Sequence, residues 1–223
     1  MRTATWWSIR RREATRLGGR SERCGENHFC DGVFGPPRLP GLVFVNADEI
    51  AKRQWPGEDP VPHAYEAAQI AGQAREQLIG QGASFIAETV FSHPSKLELI
   101  RTAQAAGYTV NLWVLLVPEN LAVARVDVRV ESGGHAVPED KIRDRYARLW
   151  SLVVEAIALA DTAVVVDNSR IADPHSVAHL NRGLVTGAVT WPTWTPSPLR
   201  QHWPATADLE AGAKEFGDAA EGA

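Results

Sequence analysis

Four short apolar runs rich in β-branched residues, at 42–46, 83–87, 109–117 and 162–167, recur along the chain with helix-patterned segments between them. Runs of this length without strict alternation suit strands covered on both faces, and parallel strands need crossovers that helices supply. Residues 63–80 carry Ala, Ile and Leu at helical spacing and stop at glycine, with Gly82 just beyond. Residues 95–106 read as a second helix ended by Gly107, and Pro118 closes the strand before it. Pro138, Glu139 and Asp140 then open a helix that runs to Ala160. A proline loses nothing at a first helical position, and acids there meet the positive end of the helix dipole. Residues 184–190 read as a weaker strand. Strands alternating with helices predict a three-layer α/β fold with a parallel sheet flanked by helices.

With 223 residues, 44% of them hydrophobic, the chain suffices for one domain with a buried core. Its formal net charge of -4 argues against a general polyanion binder, so nucleic acid is not expected as a partner. No apolar run approaches the length that crosses a bilayer, and the first residues lack the apolar core of a secretory signal, so a cytoplasmic protein is expected. Cys24, His28 and Cys30 form half a metal site at most, with no second ligand pair at a recognisable spacing, and no metal centre is predicted from them.

Order is uneven along the chain. Residues 1–41 contain Trp6 and Trp7, a run of Arg10, Arg11 and Arg12, scattered glycines, and Pro36, Pro37 and Pro40, without helical or strand periodicity. Residues 197–223 are rich in Ala, Gly and Glu and read as a flexible tail. A folded unit over 42–196 lies between them.

Three motifs carry candidate chemistry: FVNADEIAKRQWP at 44–56, FIAETVFSHPSKLELI at 85–100 and RVESGGHAVPEDKIRDRYARLW at 129–150. Asp48 and Glu88 both follow buried strands, where open α/β sheets place their ligand crevice. Asp48 also reads as a helix-capping residue, Glu88 as a turn residue, and Ser92 and His93 as caps of the next helix. Arg145 and Arg148 share a helical face while Arg143 points elsewhere. Such arginines can grip phosphates bidentately, or form a solvated basic face paired with Glu139, Asp140 and Asp144. Asp167, Asn168 and Ser169 end the last confident strand as ligand residues or as a turn. WPTWTP at 191–196 reads mainly as core packing, with a lid or interaction surface as the alternative.

Together these motifs resemble the zeta-toxin-like branch of the P-loop kinases over roughly residues 42–196. The resemblance implies a P-loop NTPase-like fold and ATP-dependent phosphorylation of a small hydroxyl-bearing molecule, with Mg²⁺. It assigns Asp48 as general base, Glu88 and Thr89 to substrate, and Arg145, Arg148, His135 and Arg129 to phosphates. An antitoxin or regulatory protein is an expected partner.

The family's phosphate loop has no counterpart, because no Gly-x-x-x-x-Gly-Lys-Ser/Thr run exists in the chain. The resemblance places that loop just ahead of the 44–56 motif, within the irregular segment. With permitted synonymous codons, residues 20–29 read one base later spell Gly-Pro-Asn-Gly-Ala-Gly-Lys-Thr-Thr-Phe, so the hypothesis for the irregular segment is an out-of-frame portion ending near Pro37. The expectation is a central first strand lost or disordered, and impaired binding of ATP and Mg²⁺. The rivals are a non-catalytic ligand-binding module and a nucleotide-dependent regulatory partner.

Overall fold

The computed structural model describes residues 5–11, 42–131, 138–170 and 173–209. In chain order the elements are β1 (Thr5–Arg11), β2 (Val43–Val45), α1 (Ala47–Gln54), α2 (Pro60–Gly80), β3 (Phe85–Thr89), α3 (Ser95–Ala105) and β4 (Tyr108–Leu116). There follow α4 (Glu119–Glu131), α5 (Glu139–Leu159), β5 (Thr162–Asp167), β6 (His175–Asn181), β7 (Leu184–Val185) and α6 (Ser197–His202). The result is a mixed α/β fold, helices flanking one sheet of order β2-β3-β1-β4-β5-β6-β7.

Strand direction positions the site. β2 is parallel to β3, β4 is parallel to β5, and β1 is antiparallel to both β3 and β4. It follows that β2 to β5 all point one way and end at one rim, at Val45, Thr89, Leu116 and Asp167. Along β4 the side chains alternate, with Tyr108, Val110, Leu112, Val114 and Leu116 fully buried and their neighbours half-buried. Ile157, Val153 and Trp150 of α5, and Ile100 and Leu97 of α3, join them in the main core.

Local chemistry closes each crossover. α2 starts at Asp59, whose carboxylate accepts the Val61 amide at 3.1 Å, with proline at its first position. It ends at Gly82, whose φ of 71° favours glycine, and the Gly82 and Ala83 amides take the carbonyls of Ile79 and Leu78. The buried hydroxyl of Tyr108 lies 3.2 Å from the carbonyls of Leu78, Ile79 and Ala83, tying the end of α2 to β4.

The sheet is mixed rather than all parallel, with β6 and β7 antiparallel at one edge and β1 antiparallel in its middle. The resemblance implies a lost or disordered central strand, whereas Thr5–Arg11 fills the slot between β3 and β4 in the opposite direction. Trp6 pairs with Glu88 and Trp113, and Arg11 with Tyr108. An empty slot would strand two rows of backbone donors and acceptors, and this segment satisfies them.

Smaller differences have similar causes. β3 ends two residues later than expected because neighbour pairing carries it through the polar Glu88 and Thr89. β6 escapes the sequence pattern because His, Ser and Asn occupy its exposed positions, while the expected strand at 184–190 shrinks to Leu184–Val185. The tail expected from residue 197 instead begins with α6, whose Leu199 is fully buried, as is Trp203 beyond it. The Trp191 indole donates to the Trp203 carbonyl at 2.6 Å, so the WPTWTP segment packs on this element. Residues 20–29, Cys24, His28, Cys30 and His135 lie outside the described residues.

Candidate active site

Asn46 organises the rim. It follows β2 and caps α1, its Oδ1 accepting the amides of Asp48 at 2.7 Å and Glu49 at 3.3 Å. Two acids in the first turn and Lys52 and Arg53 in the last complement the α1 dipole. The Asn46 side-chain amide meanwhile donates to the Glu88 carboxylate at the end of β3. The capping role the sequence offered Asp48 therefore belongs to Asn46, and Asp48 stands half-buried in the first turn.

Between these strand ends, α2 and α3 lies a cavity of about 110 Å³. Asn46 and Ala47, Glu88 and Thr89, and two basic groups, Arg75 and Lys96, contribute to its wall. Arg75 is only 6% exposed and occupies the buried stripe of α2 that also holds Ala67, Ala71 and Ile79. Its Nη2 reaches back to within 3.9 Å of where a Cβ on Gly72 would stand. Burial pulls the Arg75 guanidinium below its usual pKa, and Lys96 is lowered by burial and then by the positive charge of Arg75. Neither cation has a hydrogen bond or ion pair among the described residues.

The structure brings Glu88 and Thr89 into this cavity, and Asp48 to the helix turn that begins with its wall residue Ala47. Arg145 and Arg148 are exposed on α5 and do not line it. Arg129 lies in α4, outside the described side chains. Arg143 takes the solvated role, bonding Glu139 at 2.6 Å, Glu119 at 3.2 Å and Asn120 at 3.1 Å. His93 behaves as a cap, its Nδ1 accepting the Ser95 amide at 3.2 Å. Asp167 makes a turn, its carboxylate accepting the Ser169 amide at 2.8 Å.

Sequence reasoning missed Arg75 and Lys96. A signal for Arg75 existed: it sits four residues after Ala71 and four before Ile79, on the apolar stripe where an arginine is out of place. Lys96 lies within the 85–100 motif, eight residues after Glu88, where nothing in the local pattern sets it apart from a surface lysine.

No phosphate loop for ATP stands among the described residues. No cluster of three potential metal-ligating side chains exists among them. The slot strand runs the wrong way for a phosphate loop, delivering its carboxyl end, Arg11, beside Tyr108 at the rim remote from Glu88. A second buried cation, Arg125, bonds the Asn168 carbonyl at 2.8 Å through Nη2, while its Nε and Nη1 have no partner among the described residues.

A sheet of order 2-3-slot-4-5 with a crevice at its carboxyl rim defines a P-loop NTPase-like α/β protein. The Zeta toxin family model matches residues 61–182 of the 223, so the chain belongs to the Zeta toxin family. The match spans Arg75, Glu88, Thr89, Lys96 and α5, and starts after Asn46 and Asp48. No curated protein and no solved structure matches the chain. No helix among the described residues is long and apolar enough to cross a membrane.

Proposed function

We propose that this chain carries the acceptor half of an ATP-dependent kinase acting on a small hydroxyl-bearing molecule, with its phosphate-delivering half impaired. The supporting observation is the cavity at the ends of β2 and β3, where the helix cap of Asn46 is bonded to Glu88. In this reading the acceptor hydroxyl enters beside Glu88 and Thr89, which orient it. Asp48, fixed through its own amide by Asn46, takes the hydroxyl proton. ATP with Mg²⁺ would supply the phosphoryl group, with Arg145, Arg148, His135 and Arg129 assigned to its phosphates.

The reversed β1 favours a second reading of the chain as it stands, a ligand-binding module without turnover. One experiment separates the two. Replacing residues 1–37 by the shifted-frame translation restores the loop, and phosphoryl transfer from Mg-ATP to small hydroxyl compounds is then assayed. Turnover abolished by Asp48→Asn supports the kinase. A restored chain that binds Mg-ATP but transfers nothing overturns it.

A further inference from the structure

Arg75 has no purpose in the core. It has no hydrogen bond or ion pair among the described residues, only the exposed Glu76 next along α2 offsets its charge, and a hydrophobic side chain at the same place would pack with Ala71 and Ile79. Lys96 compounds the imbalance: it stands in the first turn of α3, where a positive charge opposes the helix dipole, and it faces the charge of Arg75. Among the described residues of the cavity wall, two cations stand with the single carboxylate of Glu88, itself bonded to Asn46, an excess of positive charge. The cavity is small, walled on one side by Ala68 and Ala71, and supplies the Thr89 hydroxyl beside the cations. A desolvated guanidinium and an ammonium lining one small cavity form an arrangement that an anion between them stabilises.

We propose that Arg75 and Lys96 form an oxyanion-binding site within this cavity, holding a phosphate or carboxylate group of the molecule that enters it. Treating that group as part of the kinase acceptor rests on the function proposed above, and makes the acceptor an anionic alcohol. Arg75 supplies the planar donor fork and Lys96 a point charge. Glu88, on the same wall, then accepts from the ligand's hydroxyl and repels a second anionic group.

The test needs no ATP. Thermal unfolding of the full chain is followed with inorganic phosphate, with succinate, and with chloride at matched ionic strength. Saturable stabilisation by phosphate or succinate beyond chloride is expected, and the tighter of the two identifies the anion. Arg75→Met should unfold at the same or a higher temperature without anion and lose the response. Lys96→Gln should fold and weaken the response roughly tenfold, as loss of one charge-assisted contact does. Equal responses in parent and Lys96→Gln, or none beyond chloride in the parent, overturn the site, whether or not Arg75→Met folds. Anion binding retained in a loop-restored chain without turnover would sink the kinase reading and leave this site standing.

Discussion

The side-chain amide of Asn46 donates to the carboxylate of Glu88, linking the ends of two parallel strands across 42 residues of sequence. The same side chain caps α1 with its oxygen, so one residue ties the first turn of α1, which bears Asp48, to Glu88 on the cavity wall.

Substituting Asn46 therefore separates two effects. Asn46→Ala removes the cap and the Glu88 donor and should cost about 1–3 kcal/mol in denaturant unfolding. Asn46→Asp keeps the cap but sets two carboxylates together, so its deficit should be largest near neutral pH and shrink as acid protonates the pair. A pH-independent deficit in Asn46→Asp would refute the contact with Glu88.

Stability should also depend on alkaline pH through Lys96. Its folded pKa lies below the ordinary 10.5, lowered by burial and by Arg75 on α2, with Glu88 of β3 on the same cavity wall. The unfolded state then holds the proton more tightly, so stability rises as pH climbs from the folded value toward 10.5. Lys96→Met should flatten that rise in urea titrations, while oxyanion affinity should fall over the same range.

Asp161 staples the other half of the sheet. It is buried, accepts the Val110 amide at 3.0 Å and the Gln104 amide at 3.4 Å, and receives Arg182 at 3.3 Å. Asp161→Ala strands the Val110 donor and should cost about 2–3 kcal/mol. Arg182→Ala, which removes a side chain that is itself 68% exposed, should cost under about 1 kcal/mol. Equal losses in both variants would contradict this division.

The central position of β1 is testable by proline. Ser8 pairs with both Ile86 and Asn111, so Ser8→Pro should destabilise by about 1–3 kcal/mol, against under about 0.5 kcal/mol for Ser8→Thr. Titration of the unaltered chain with Mg-ATP should give no micromolar binding.

The ends of β2 and β5 were legible because each apolar run stops at a polar residue, Asn46 and Asp167, whereas pairing carries β3 on through Glu88 to Thr89. The same reading points to Asp48 and Glu88, of which Glu88 lines the cavity and Asp48 stands in the adjoining turn. The Arg75–Lys96 pair was not legible, since the cavity joins helices that touch only after the sheet forms. Phosphate contacts at Arg145 and Arg148 followed from the resemblance, and both residues stand exposed on α5 away from the cavity. β1 defeated pattern reading because its composition carries no period, and the need of β3 and β4 for a partner decides its conformation.

The reversed β1 also has a corollary for the crevice. Thr5 aligns with Thr89 and Val114, so β1 starts at the crevice rim and carries the chain away from it, which leaves that rim to be built by the ends of β2 to β5.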